Sequence, residues 1–171
     1  MHATELDRRY AEILEKLSQL LPAGPRSSVD DAPRWLQRAA SQLTQVLDRA
    51  PVQFLDVRLR SEEEPGRIIA FTNSAVVNVT VAPGRVNGVA RTVTSVVPRR
   101  NIVSLNVTDD NEHMLSPTPG KWPEGQAVQL NYPGLESLTL PLSDPLPRHL
   151  GNLLEFLPLL IRDLLNPGLR D

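Results

Sequence analysis

Residues 67–81 read RIIAFTNSAVVNVTV, and their period decides the fold class. Ile69 and Phe71 alternate along the first strand, and Asn73–Ser74 makes a tight turn. Val77, Val79 and Val81 then alternate with Asn78 and Thr80. Alternation at period two on both sides of a turn predicts an antiparallel hairpin with one apolar face to bury.

The same period extends outward from this hairpin. Upstream, Leu55, Val57 and Leu59 alternate with Asp56, Arg58 and Arg60, and the run SEEEPG at 61–66 turns the chain. Downstream, Ala82–Pro83–Gly84 stops the strand. A run from Val89 to Val97, rich in Thr and Val, alternates less cleanly, as an edge strand does. Val103, Leu105 and Val107 resume the alternation after Pro98. A long aperiodic loop, DDNEHMLSPTPGKWPEG at 109–125, comes next. Val128, Leu130 and Tyr132, then Leu138, Leu140 and Leu142 across the turn Pro133–Gly134, complete seven strands. Mostly short connections predict antiparallel pairing.

A helix follows from Leu146 to Leu165, capped by Ser143 or Asp144, with Pro145 in its first turn and Pro158 placed to kink it. Its leucines cover more than one face, so it must be buried in something, and the preceding sheet is the nearest partner. The N-terminal fifty residues have a different period. Leu6, Tyr10, Ile13, Leu14 and Leu17 mark a helix over 3–21, which Pro22, Gly24 and Pro25 stop. A second helix starts at Asp30 or Asp31 with Pro33 in its first turn, carries Trp35, Leu36, Ala39, Leu43 and Leu47, and is closed by Pro51. Together they predict an αα-hairpin. The expected division is a helical hairpin over 1–50 and a β domain with its C-terminal capping helix over 51–171.

At 171 residues, with 40% hydrophobic and 22% charged residues, the chain has the composition of a globular protein of modest size. A net charge of −2 supplies no global field toward nucleic acid or anionic membrane. With no cysteine there are no disulfides and no thiolate chemistry. The N-terminus lacks the apolar core of a signal peptide, and no apolar run reaches the roughly 20 residues that span a bilayer. The expected location is cytoplasmic.

Seven antiparallel strands closed by one C-terminal helix resemble the pleckstrin-homology (PH) superfold over residues 52–165. RIIAFTNSAVVNVTV at 67–81 is similar to the second hairpin of bacterial PH-like domains, and VVPRRNIVSLNV at 96–107 to their later Ile-Val-Ser segment. The resemblance implies an α+β fold, a barrel or sandwich plugged by its C-terminal helix. It also implies protein, peptide or phosphoinositide binding. Lipid-binding members place a basic cluster around the first hairpin loop, where this chain has Arg58, Arg60 and Arg67 but also Glu62, Glu63 and Glu64. Three carboxylates at a phosphate site repel the phosphate.

Chemistry-bearing motifs are sparse. His2, His113 and His149 show no metal-ligand spacing, and no nucleophile elbow, P-loop or dinucleotide fingerprint is present. Asp109, Asp110, Glu112 and His113 share the long loop, and a small enzyme with its site near His113 is a further alternative reading. No cofactor is expected. Arg91, Arg99 and Arg100 bracket the irregular strand, where paired guanidinium groups suit an acidic partner. Trp122, in a Pro-rich loop, either tucks onto the fold or anchors a partner. With aromatics at 4%, a base-stacking nucleic-acid platform is not expected. The expected function is a non-enzymatic adaptor that binds a protein or peptide, or self-associates, through its helical hairpin or an exposed strand edge. The alternative is peripheral contact with anionic lipid headgroups through Arg58, Arg60 and Arg67.

Overall fold

A computed structural model describes residues 3–20, 33–58, 65–82, 91–109, 126–142 and 147–166. Helix α1 (Ala3–Leu20) and helix α2 (Arg34–Leu47) form the N-terminal hairpin. Pro33 sits at the N-cap of α2, just outside the helix. The helix closes at Asp48 rather than at Pro51, because Asp48 turns to φ +46° and donates its N–H to Thr44 O at 3.2 Å. A short polar side chain tolerates that left-handed backbone better than a branched one.

Strands β1 (Phe54–Arg58), β2 (Gly66–Phe71), β3 (Ala75–Ala82) and β4 (Arg91–Pro98) form one antiparallel sheet in sequence order. The turn at Asn73–Ser74 is set by Thr72, whose Oγ1 accepts N–H bonds from Ser74 at 3.2 Å and Ala75 at 2.9 Å. Strands β5 (Ser104–Asp109), β6 (Gln126–Asn131) and β7 (Leu138–Leu140) form a second antiparallel sheet. Helix α3 (Pro147–Leu165) follows, as expected, while Pro145, Leu146 and the expected capping residues Ser143 and Asp144 lie outside the described residues. The fold is therefore α+β, with seven strands and a C-terminal helix among the described residues.

Two expectations need correction. Of the barrel or sandwich expected, the strands do not close into a barrel but form two sheets: among the described residues neither β4 and β5 nor β1 and β7 are paired. Between β4 and β5 the chain passes through a short 3-10 turn, Arg99–Asn101. At the other seam the Asp56 carboxylate stands where ladder bonds would run. It accepts Val57 N–H and Leu142 N–H, each at 2.8 Å, so both backbone donors are satisfied by one side chain.

The second correction concerns the single apolar face. The four-stranded sheet is covered on both sides. Leu55, Val57, Ile68, Ala70, Val77, Val79 and Val81 meet the hairpin's Ile13, Leu14, Leu17, Leu36, Leu43 and Leu47 in one core. Phe54, Ile69, Phe71 and Val76, on the opposite face, meet Val128, Leu130, Leu138 and Leu140 of the second sheet and Leu153, Phe156, Leu157 and Leu160 of α3 in another. Ile68 and Ala70 of β2 serve one core and Ile69 and Phe71 the other, and all six residues of the strand are buried. The hairpin's stripes are thus spent on its own sheet, and α3 packs as the sequence required. The chain's three phenylalanines meet in the second core. Phe156 stacks on Phe54 (centroids 5.2 Å apart, planes 6° apart) and tilts against Phe71 at 5.0 Å.

Candidate functional site

Among the described residues strand β4 is paired along one edge only. Its inner edge pairs with β3 from Ala75↔Pro98 to Ala82↔Arg91. No described strand pairs with its outer edge. Register places Val93 opposite Thr80, on the face toward the second sheet, and Val96 opposite Val77, on the face toward the hairpin. Both stay exposed, at 45% and 50%, because neither covering layer extends fully over the last strand. Helix α2 reaches it through one described hydrogen bond, Thr94 Oγ1 to Gln42 Oε1 at 2.6 Å. Beside that bond Arg38, Ser41, Gln42 and Thr92 line an open groove of about 350 Å³. Six successive residues, Thr92–Val97, carry no charge, and none of the usual edge-blunting lysines is present.

The three arginines predicted for a partner fall in different environments. Arg91 is exposed at the start of β4, and Arg100 is exposed in the 3-10 turn. Arg99 is inside the molecule, 4% exposed, and does not form a surface pair with Arg100. Its Nε donates to Asp163 Oδ2 of α3 at 2.5 Å and its Nη2 to Asp163 Oδ1 at 3.3 Å. Its Nη1 donates to Thr72 O at 2.8 Å and to Gln53 Oε1. With its guanidinium so engaged, Arg99 holds α3 to the first sheet instead of meeting a partner.

Arg58 and Arg67 are directly opposite each other on β1 and β2. Arg67 is 6% exposed; its Nε donates to Asn78 Oδ1 at 2.9 Å, and Glu136 lies 3.8 Å from its Nη1. Burial pushes the Arg67 guanidinium below its ordinary value and Arg58 adds to the shift, while Glu136 opposes it. A headgroup site built on Arg67 would have to displace these internal contacts. Arg60, Glu62, Glu63 and Glu64 lie outside the described residues, as do Trp122 and the loop residues Asp110, Glu112 and His113. Asp109 ends β5.

The opposite edge of the first sheet is less accessible. A groove of about 510 Å³ runs along Val52–Leu55, but α1 (Lys16, Gln19, Leu20) and α3 (Glu155, Phe156, Leu159) wall it, and Asp56 occupies the edge beyond. Among the described residues no three His, Cys, Asp or Glu side chains gather to hold a metal ion, and no helix is long and apolar enough to cross a membrane. The irregular strand is where the sequence expected it, and Arg91 and Arg100 are exposed at its start and just beyond its end. The inward turn of Arg99 left no trace in the sequence, and Arg38 on an amphipathic helix reads only as a solvated charge. Comparison with known proteins adds nothing to this geometry: no family model, no curated protein and no solved structure matches the chain.

Proposed function

We propose that the chain is a non-enzymatic protein-interaction module on a PH-like scaffold, and that its contact surface is the outer edge of β4. The observation that carries this reading is an eight-residue edge strand, uncharged over Thr92–Val97, with exposed valines on both faces. Backbone donors and acceptors along such an edge, which no described strand takes up, suit an added strand, and side chains of alternating residues read it. The hairpin, the other candidate surface, has its apolar stripes buried against β1–β3. The scaffold reading is supported by the division into four-stranded and three-stranded antiparallel sheets followed by a packed C-terminal helix. Headgroup binding is less well supported, since Arg67 is buried and engaged.

The test uses the full chain with a photo-crosslinking residue at Val93, and V93K/V96K as the control. Lysines on an edge strand suppress strand addition without touching either core. A protein that cross-links at position 93 and is lost from V93K/V96K supports the reading. Capture that is indifferent to both lysines sinks it. Flotation with anionic vesicles, abolished by Arg58→Glu and unchanged in V93K/V96K, would instead favour the lipid alternative.

A further inference from the structure

We infer that the segment added to β4 is an extended peptide whose acidic side chains lie at the end beside Arg91 and Arg38. The inference rests on the interaction-module reading above and specifies the chemistry of the partner. Three features of the edge carry it. Its centre, Thr92–Val97, offers only hydroxyls and valines, so the incoming strand gains most from β-branched residues opposite Val93 and Val96. Its beginning is basic: Arg91 is exposed on the strand, and Arg38 is exposed on α2 in the groove shared with Thr92. The remaining lining of that groove, Ser41 and Gln42, brings a hydroxyl and an amide and no carboxylate. Arg38, with neutral hydrogen-bonding neighbours in this groove, suits a carboxylate on the hairpin face, and Arg91, one residue from Thr92 and so on the other face of the strand, suits a second carboxylate one residue along the peptide.

A second copy of the chain fits the same edge less well. Antiparallel pairing of Arg91–Pro98 with itself about a dyad sets Arg91 of each copy near the Pro98–Arg100 end of the other. Arg91 of each copy then lies opposite Pro98 of the other, which has no N–H for the added ladder and no acid to meet the guanidinium. An acidic partner supplies that acid.

The experiment uses the full chain and three synthetic peptides that share an alternating Thr–Val core and differ in carrying glutamate, glutamine or lysine at one end. Binding is read by fluorescence anisotropy at low salt, and its place by the amide shifts of Thr92–Val97. The glutamate peptide should bind about ten-fold tighter than the lysine peptide, as electrostatic complementarity at a rim allows. The charge-reversed variant R38E/R91E, altered at two exposed positions, should invert that order. Equal affinities, or an order that survives the reversal, overturn the acidic-partner inference while leaving the edge as the binding surface. If no peptide of any charge moves the Thr92–Val97 amides, the interaction-edge reading itself falls. Dimerisation that V93K/V96K abolishes would overturn the inference in favour of a second copy.

Discussion

Arg99 and Asp163 show how much can depend on one pair 64 residues apart in sequence. Both are almost fully buried, 4% and 5% exposed. Such a pair need not stabilise more than an apolar one of the same shape, but breaking one half leaves an uncompensated interior charge. Asp163→Asn should therefore cost about 3–5 kcal/mol in urea unfolding, and R99M/D163L should recover most of it. A double variant no better than the single one would mean that the interior stays wet. Tyr132 lies in the same interior. Its hydroxyl is buried and has no hydrogen-bond partner among the described residues. Burial raises its ionisation well above the ordinary 10.0, the Asp163 carboxylate adds to the rise, and Arg99 opposes it. The folded state thus keeps the proton to higher pH than the unfolded state does. Stability is unaffected below pH 10 and falls as pH rises past it. Tyr132→Phe removes an unsatisfied polar atom, so it should be neutral or stabilise by up to about 1 kcal/mol at pH 7. It should also flatten the loss of stability above pH 10 in a pH series of melts. A Tyr132→Phe protein clearly less stable at pH 7 would indicate a hydroxyl partner that the geometry does not show.

Among the elements, α3 separates buried from exposed apolar residues most sharply. Phe156 contacts both other phenylalanines, whereas Leu165 at the helix end is among the most exposed apolar side chains described. Phe156→Ala should cost about 3–5 kcal/mol and Leu165→Ala no more than about 0.5 kcal/mol, both read from chemical denaturation. Similar losses would mean that α3 does not dock by this face. The sequence made α3's existence and burial legible, because nine leucines and isoleucines on one helix cannot all face water. It hid which face docks. Phe156 was lost among the leucines, and Asp163 reads as an ordinary solvated acid until its partner is known. Each strand was legible for the same local reason, since period two survives any tertiary arrangement. The split into two sheets was not. It depends on a three-residue 3-10 turn after β4 and on Asp56 filling the opposite seam, and neither leaves a periodic trace. The two-sided burial of β2 did leave one, in the unbroken run Ile68–Phe71, which departs from strict alternation.

For the molecule as a whole, that strand decides whether the hairpin and the β region behave as one unit. Ile68 and Ala70 project into the core shared with α1 and α2; Ile69 and Phe71 project into the core shared with the second sheet and α3. The two cores are therefore two sides of one backbone ladder, and neither survives if β2 leaves its neighbours. Loss of the hairpin would bare seven buried residues of the first sheet, from Leu55 to Val81. A truncated β region should then expose apolar surface well beyond what a soluble monomer carries. In the intact chain the same coupling predicts one cooperative transition. Leu43→Ala in α2 and Leu160→Ala in α3 should each cost about 2–5 kcal/mol. The discriminating signal is Trp35, which packs on the hairpin core, read by fluorescence in a Trp122→Phe background. If the cores are coupled through β2, Leu160→Ala lowers the Trp35 midpoint as far as the midpoint seen by far-UV circular dichroism. If Leu160→Ala leaves the Trp35 midpoint where it was, the hairpin melts alone. The four-stranded sheet would then not unite the fold, and β4 could not be held rigid from both faces for a partner strand.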